Sequence, residues 1–571
     1  MVPRPQRNAS HSLFTVALAL FLTGCAGQVP PPGGPVDVVP PQVIRSEPDT
    51  NAVHVNTRAI TLEFSEYVDR RSVEESFFIS PSVGTIEYEW SGTEVTARYQ
   101  EPLHPLTTYV VTVGTDVKDR RAGNRMAETF TLAFSTGDSL DKGRIDGRVF
   151  DRKPEGVMIF AYKLNGRLAD TLDPGRVKPD YITQTGKDGL FSLYHLAFDT
   201  YRLFAVRDEY KNLLYDRQVD EFGVTWGDFV LGTHSPTARD AWFRLSAEDT
   251  TKPFVTSVRV QDRFRIFIRF SEPIDSLSVL TSGFSIRDTV TNAPVLITIA
   301  YANPLQASTA GIVTAAPLDS PATYSLRVRD VRDLRGNVID SSRPPETFAG
   351  TLIPDTVRPS VRVRDMRDSV RGVSPDGRFE ILFSDPPERN PIRSSIVLTA
   401  QGGGQVAAQL DAIEPADLVL RADRPLASKE WYAIRVLMDS VRSMFGKGYR
   451  DSTFILHFET LDLRATGSIS GLVTDAQSGT EGGPVVVTAG SVEGGLSRES
   501  SVTLAKPGEF AFSGLVEGKY VVSGFRDSDR SGFYSGGRPY PFVPAERFTV
   551  YPDTIRVRAR WGVEGVILKL P

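Results

Sequence analysis

The 571-residue chain is poor in the residue types that carry most enzyme chemistry and covalent cross-linking. It has a single cysteine, Cys25, and six histidines that lie singly along the chain. One cysteine excludes an internal disulfide framework, so each domain must be held together by buried apolar surface. The sequence also lacks a Gly-x-Ser-x-Gly elbow, a His-Glu-x-x-His motif and the glycine patterns that bind phosphates or dinucleotides. We therefore predict that the protein is not an enzyme and has no catalytic residues.

Basic blocks and long apolar runs are also missing. Lys and Arg number 65 against 70 Asp and Glu, giving a formal net charge of −5 that is spread along the chain. This balance excludes nucleic acid as an expected partner. Beyond the first 25 residues, no apolar run approaches the roughly 20 residues of a membrane-spanning helix. At roughly 100 to 150 residues per domain, the length indicates four to five domains.

What the sequence does contain begins with an export signal. Arg4 and Arg7 precede an apolar run over 13–22, and Leu22-Thr23-Gly24 leads directly to Cys25. This order predicts a signal peptide over residues 1–24. Leu-Thr-Gly-Cys resembles the bacterial lipobox, which implies that Cys25 is acylated and attaches the mature protein to a membrane. The alternative is an ordinary signal peptide with an incidental cysteine.

Residues 25–39 are rich in proline and glycine, which predicts an extended tether between the anchor and the first domain. Ala26 follows Cys25 in place of the acidic residue that keeps some lipoproteins in an inner membrane. We therefore expect a lipid-anchored protein of the cell envelope, in the outer membrane of a Gram-negative bacterium. Whether it faces the periplasm or the medium is left open.

One sequence unit occurs three times beyond the tether. In each copy an alternating apolar run ends in Phe-Ser-acid, and a Pro-Leu pair is followed by a tyrosine six residues after the leucine. The copies contain Phe64-Ser65-Glu66 with Pro102-Leu103 and Tyr109, Phe270-Ser271-Glu272 with Pro317-Leu318 and Tyr324, and Phe383-Ser384-Asp385 with Pro425-Leu426 and Tyr432. The pattern resembles the bacterial Ig-like domain of surface-layer proteins, which implies antiparallel β-sandwiches. We interpret the acids as turn caps or solvent-facing groups, not as catalytic pairs.

A second unit occurs twice, with its marks at a constant offset of 319 residues. The pairs are Phe191 and Phe510, Tyr201 and Tyr520, Asp208 and Asp527, and Tyr215 and Tyr534. The pattern resembles the transthyretin-like sandwich of carboxypeptidase regulatory domains. The predicted fold is thus all-β, a tandem array of five Ig-like and transthyretin-like antiparallel β-sandwiches. Their predicted bounds are segment 1 (40–138, Ig-like), segment 2 (139–247, transthyretin-like), segment 3 (248–354, Ig-like), segment 4 (355–462, Ig-like) and segment 5 (463–571, transthyretin-like).

Asp527, Asp529 and Ser531 form the one candidate metal site. Their spacing places oxygen atoms at alternate positions of a turn, as a calcium loop requires. However, Arg538 stands where an EF-hand-like loop has its bidentate glutamate. The alternative is a hairpin turn rich in Asx hydrogen bonds, and no cofactor other than calcium is considered. Tyr534, Tyr540 and Phe542 are expected to be the most exposed aromatic cluster.

These features predict a lipid-anchored structural and adhesive protein of the cell envelope. Its sandwiches would form a rod, stiffened by prolines between segments, that presents a surface to a protein or glycan ligand. A first alternative is a carbohydrate- or polymer-binding accessory protein of a surface system, which predicts exposed aromatic side chains on one sheet face. A second is an enzyme with an unrecognised site, which predicts a deep pocket with converging carboxylates or histidines.

Overall fold

The computed structural model describes residues 37–571 except 166–168, 355–358, 443–452, 476, 478–481 and 493–498. The predicted signal peptide, the predicted lipid-attachment residue Cys25 and most of the predicted tether lie outside the described residues. The described chain is almost entirely β-strand, which confirms the predicted all-β array. Within this described part, no helix has the length and apolar character needed to cross a membrane.

Segment 1 contains two facing sheets and a short helix. Its elements are β1 (Val43–Glu47), β2 (Ala59–Phe64), α1 (Arg70–Ser76), β3 (Phe77–Ser80), β4 (Ile86–Ser91), β5 (Glu94–Tyr99), β6 (Thr108–Val113) and β7 (Phe130–Ser135). The sheets have the orders β1-β2-β5-β4 and β3-β6-β7. Helix α1 begins where the Asp69 carboxylate accepts a hydrogen bond from the Ser72 amide at 2.8 Å, which caps the first turn.

Segment 2 contributes strands to two compact units. Its elements are β8 (Gly143–Phe150), β9 (Met158–Lys163), a 3-10 helix (Ala169–Thr171), β10 (Tyr181–Gln184), β11 (Leu190–Leu196), β12 (Thr200–Arg207), β13 (Glu221–Val224), β14 (Phe229–Val230), β15 (Thr237–Arg244) and β16 (Ser246–Ala247). The first unit holds segment 1 together with 154–156 and 181–197, which include β10 and β11. The second unit holds 144–153, 157–180 and 198–571.

Segments 3 and 4 lie in the second unit and repeat the sandwich of segment 1. Segment 3 has β17 (Val255–Asp262), β18 (Arg265–Phe270), 3-10 helices (Ser276–Ser278 and Thr281–Gly283), β19 (Phe284–Asp288), β20 (Pro294–Val295), β21 (Ile297–Ala302), β22 (Thr309–Thr314), β23 (Thr323–Val328) and β24 (Glu346–Ala349). Segment 4 has β25 (Val361–Val363), β26 (Val370–Val373), β27 (Arg378–Phe383), α2 (Arg389–Ser395), β28 (Ile396–Ala400), β29 (Gln405–Val406), β30 (Ala408–Glu414), β31 (Asp417–Ala422), β32 (Trp431–Val436), a 3-10 helix (Met438–Ser440) and β33 (Phe454–Thr460). Their sheets are β17-β18-β22-β21 and β20-β19-β23-β24, then β25-β27-β31-β30 and β26-β33-β32-β28-β29.

Segment 5 shares a distinctive topology with segment 2. Its elements are a 3-10 helix (Leu463–Ala465), β34 (Thr466–Asp475), β35 (Val485–Ser491), β36 (Ser500–Leu504), β37 (Glu509–Val516), β38 (Gly518–Arg526), β39 (Phe548–Val550), β40 (Ile555–Val557) and β41 (Gly562–Leu570). Its sheets are β37-β34-β41 and β36-β35-β38-β39, with β40 also on β38. Strands β34 and β41 pair in parallel, as β8 and β15 do in segment 2. The two segments thus share a topology as well as the 319-residue offset.

The alternating apolar runs supply one face of each sandwich core. Ile60, Leu62 and Phe64 on β2 are buried, and the matching positions of β18 and β27 are buried in the same way. Successive side chains of a strand point to opposite faces, so a run with period two buries every second residue. The sequence pattern therefore marks the inner face of the sheet correctly in all three copies.

The Pro-Leu and tyrosine spacing has a physical cause that recurs in segments 1, 3 and 4. Each tyrosine stacks on a phenylalanine of the neighbouring strand, with ring centroids 5.6 to 5.7 Å apart. Its hydroxyl accepts a hydrogen bond from a backbone N–H five residues upstream, at 2.8 Å for Tyr109 and 2.9 Å for Tyr432. The spacing therefore fixes the loop after Pro-Leu against the core.

Candidate functional site

The candidate calcium residues lie in the loop that follows β38, at the edge of segment 5. The structure brings Asp527 and Asp529 together with Glu546, and one carboxylate oxygen from each lies within 4.8 Å of the others. Ser531 is differently placed, because its hydroxyl donates to the Phe533 carbonyl at 2.9 Å. Asp527 and Glu546 are almost completely buried, whereas Asp529 is exposed.

Backbone N–H groups already occupy the oxygens of this cluster. Asp527 accepts from the amides of Ser531 at 2.9 Å and Gly532 at 3.1 Å. Glu546 accepts from the amides of Ser528 at 2.7 Å and Ser535 at 3.0 Å, one on each oxygen. The carboxylates therefore act as the internal scaffold of the loop, in the manner of an extended Asx turn.

The first copy of the loop has the same scaffold. Asp208 accepts from the amides of Asn212 at 3.2 Å and Leu213 at 2.8 Å. Asp220 accepts from the amides of Glu209 at 3.1 Å and Asp216 at 2.8 Å. These four donors lie 319 residues before the four donors of segment 5. Asp220 thus has the structural role of Glu546.

Sequence reasoning missed Glu546 because the constant offset ends before it. Glu546 follows Tyr534 by 12 residues, whereas Asp220 follows Tyr215 by five, so segment 5 has seven additional residues here. The only sequence signal for Glu546 was the presence of an acidic residue after the seven additional residues.

Burial and hydrogen bonding shift the pKa values of two acids of this loop in opposite directions. Burial raises the pKa of Glu546 above its ordinary value, and the nearby Asp529 carboxylate adds to the rise. Hydrogen bonds from the Ser535 and Ser531 side chains and the Ser531 amide lower the pKa of Asp529. Asp529 thus ionises more readily than Glu546.

The added residues of segment 5 pack against segment 2. The Arg202 guanidinium lies 3.7 Å from the centroid of the Phe542 ring, and Arg217 donates to the Tyr540 carbonyl at 3.3 Å. Phe542 is half-buried as a result. The expectation that Tyr534, Tyr540 and Phe542 form an exposed cluster is therefore wrong, because segment 2 covers them.

An aromatic cluster continues this junction. Phe150 and Trp242 of segment 2 meet Phe548 of segment 5, with ring centroids 5.4 to 6.1 Å apart. Arg244 lies over the rings of Phe548 and Tyr534, at 4.6 and 4.9 Å, and burial lowers the pKa of its guanidinium. The expected rod is therefore wrong for the second unit, since its last segment returns to contact its first.

A buried ion pair forms the junction between segments 3 and 4. The Arg265 guanidinium contacts Asp262 at 3.1 Å in its own segment and Asp385 at 2.6 Å in the next. The Tyr301 hydroxyl also donates to Asp385 at 3.2 Å. All three charged side chains are at least 95% buried. Such a pair is geometrically demanding, and it fixes how the two sandwiches meet.

A second group of three acids lies at the start of segment 3. Asp249, Glu272 and Asp333 each present a carboxylate oxygen within 4.8 Å of the others. Among the residues that the structure describes, this group and the loop cluster are the sets of acids close enough to share a metal ion.

The sequence of segment 1 matches a known family over nearly its whole length. Residues 37–136 match the family of bacterial Ig-like domains. Segment 1 is similar in sequence to these bacterial Ig-like domains. This match confirms the resemblance for that segment, and the Ig-like domain it identifies has the stacked Tyr109 and Phe134 pair that segments 3 and 4 repeat. No curated protein matches the chain.

Solved structures with local similarity are distant. Domains 1–6 of the surface layer protein SbsC share 10% identity over 91% of this chain and 66% of theirs, with a TM-score of 0.16. The major pilin subunit BcpA of Bacillus cereus shares 8% identity over 75% and 99%, with a TM-score of 0.14. An L,D-transpeptidase from Mycobacterium smegmatis shares 14% identity over 36% and 90%, also with a TM-score of 0.14. The chain spans less than two thirds of the surface-layer chains it aligns with.

Proposed function

We propose that the protein is a lipid-anchored structural and adhesive component of a bacterial cell envelope, held in the outer membrane through Cys25. The observation that supports this role best is the construction of the joints in the second unit. Arg265 and Asp385 join two sandwiches through a buried ion pair, and Phe150 and Phe548 join two others through an edge-to-face ring contact. Fixed joints suit a protein whose task is to hold a surface in place.

The anchor is tested by Cys25→Ser in the full chain. We expect the variant to leave the membrane fraction and to lose its acyl group, as measured by fractionation and by mass spectrometry of the mature N-terminus. Thr15→Ser, a mild change within the apolar run, is the matched control and should leave both unchanged. Undiminished membrane attachment of the Cys25→Ser protein would contradict the anchor.

A glycan-binding role is the second candidate, and a groove on segment 4 favours it. The groove has a volume of about 360 Å³ and is lined by Trp431, Arg435, His457 and Gln401. Trp431 is half-buried, with the Arg371 guanidinium 5.7 Å from its ring centroid. An aromatic face beside hydrogen-bonding side chains suits a sugar ring.

Retention on cell-wall polysaccharide tests this second role. Trp431→Ala should abolish retention, while Trp561→Ala, at a tryptophan whose side chain is 68% exposed elsewhere on the surface, should not. Equal retention of both variants and the wild type would remove the groove from consideration. The structural role assigns no enzymatic activity to the chain.

A further inference from the structure

The outer face of one sheet of segment 3 differs between its two ends. Strand pairing forms one row across this face, from Arg259 on β17 through Phe267 on β18 and Gly311 on β22 to Tyr301 on β21. Tyr301 is buried, and its hydroxyl donates to Asp385 of segment 4 at 3.2 Å, whereas Arg259 is exposed. Segment 4 thus contacts one end of the row and leaves the other end open to solvent.

A groove of about 450 Å³ lies at the open end, and its lining contains three arginines and one acid. The acid is Asp385, which belongs to the buried cluster that Arg265 forms with two aspartates. The other two arginines, Arg259 and Arg269, are exposed on neighbouring strands, with Phe267 between them in the lining. Their two charges outweigh the single negative charge that the buried cluster leaves in excess. We call the surface formed by Arg259, Phe267 and Arg269 the arginine groove.

One arginine of the arginine groove is held in position, and the other is available to a ligand. The Arg259 guanidinium donates to the Gln261 side-chain oxygen at 2.7 Å and lies 5.7 Å from the centroid of the Phe267 ring. Phe267 is half-buried, so part of its ring is accessible in the groove. The Arg269 guanidinium forms no hydrogen bond or ion pair with the residues that the structure describes. The groove therefore presents positive charge beside an apolar ring.

These groups match a ligand that carries both carboxylates and sugar rings. A guanidinium binds a carboxylate through two parallel N–H···O bonds, and an aromatic ring supports the C–H face of a sugar. The Asn303 and Gln306 side chains also line the groove and can bond to hydroxyl groups. We propose that the arginine groove binds an acidic polysaccharide whose sugar rings carry carboxylates. This proposal rests on the adhesive part of the proposed function and names its ligand class.

Titration calorimetry of the full chain in detergent with oligogalacturonic acid, a sugar oligomer with a carboxylate on each ring, tests the groove. Replacing Arg259 and Arg269 together with glutamine should lower the affinity at least about tenfold, since both changes remove charge-assisted hydrogen bonds. The control replaces Arg287 and Arg327 with glutamine, which are exposed on neighbouring strands of the opposite sheet. This control removes the same charge from the same sandwich, and it should bind as the wild type does.

Polyphosphate, which has charge but no sugar ring, separates a polysaccharide site from general attraction of anions. Phe267→Leu should weaken binding of oligogalacturonic acid severalfold, and the wild type should bind polyphosphate more weakly than the sugar. Equal binding of the two polymers, or an equal loss in both double variants, would overturn the proposal.

Failure of this proposal is distinguishable from failure of the adhesive role. Retention of the wild type on an acidic polysaccharide that neither double variant changes would leave adhesion in place and overturn the arginine groove. Absence of any binding to oligogalacturonic acid by the wild type would overturn the named ligand class, while the membrane attachment tested with Cys25→Ser is measured independently.

Discussion

Segments 3 and 4 place an acid at the same point of the same sandwich and surround it with different groups. Asp385 of segment 4 is buried against the Arg265 guanidinium and the Tyr301 hydroxyl. Glu272 of segment 3 has a buried oxygen without a partner and two further acids nearby. The fold thus tolerates the repeated acid, and its surroundings decide whether it joins two sandwiches.

The loop acids of segment 5 show a third solution. Asp527 and Glu546 are as crowded as the acids of segment 3, yet backbone N–H groups occupy their oxygens. Closeness of carboxylates therefore does not by itself indicate a metal site. The useful distinction is whether each carboxylate oxygen already accepts a hydrogen bond from the protein, as it does in this turn.

Removing the arginine of segment 3 should produce the largest effect on this comparison. Arg265→Met leaves Asp262 and Asp385 buried without their cation. We expect the free energy of unfolding of the second unit to fall by about 3–5 kcal/mol. Denaturant unfolding monitored by tryptophan fluorescence measures the loss. Arg263→Met, which breaks a solvent-accessible pair with Asp319, is the control and should cost far less. Equal costs would mean that the buried pair does not hold the junction.

Removing the loop scaffold should rank second. Asp527→Ala leaves the Gly532 amide without its acceptor and the Ser531 amide with Asp529 alone, and we expect the free energy of unfolding to fall by about 1–3 kcal/mol. Asp208→Ala, at the matching position of segment 2, should cost a similar amount. Unfolding with and without calcium tests this interpretation of the loop, since calcium should not change the Asp527→Ala loss. A loss of stability that depends on calcium would indicate that this loop binds the ion.

Segments 3 and 4 share a tyrosine hydroxyl that is hydrogen-bonded to the backbone. Its removal should lower stability by less than the two changes above, and by the same amount in both segments. Tyr324 and Tyr432 both accept a hydrogen bond from a backbone amide five residues upstream. Replacing either with phenylalanine retains the ring and removes the acceptor, at a cost of about 0.5–1.5 kcal/mol. Thermal unfolding of the two variants compares them, and a large difference would show that the copies have diverged here as well.

Protonation of Glu272 in segment 3 should give the smallest effect. Burial, with the Asp249 and Asp333 carboxylates, raises the pKa of Glu272 in the folded state, so its ionised form disfavours folding. Stability from this group should therefore rise as the pH falls from 7 through that raised pKa, and should level off below the ordinary pKa of about 4.5. Unfolding temperatures in EDTA across this range should show the rise in the wild type and less of it in Glu272→Gln.

Local pattern predicted most of the fold. The alternation that ends at Phe64, Phe270 and Phe383 identified the buried strand faces, because a strand's period is independent of its partners. The junctions could not be predicted this way. Arg265 and Asp385 are 120 residues apart, and an arginine on a strand carries no signal of which acid it will meet. Glu546 was not predicted because seven added residues interrupt the constant offset before it. The Glu272 oxygen without a hydrogen-bond partner was not predicted because its neighbours are distant in the sequence.

The contact between segments 2 and 5 has a consequence for how the protein assembles. Phe150 and Phe548 are 398 residues apart, so their meeting closes a long loop, and such contacts form late because the intervening chain must first be ordered. Each sandwich can fold from neighbouring strands as it is synthesised. The aromatic residues of segment 2 then remain exposed until segment 5 contacts them. During that interval, a second copy of the chain could offer its own segment 5 to the waiting surface. Exchange of this kind would link molecules through the same rings that otherwise close one molecule on itself.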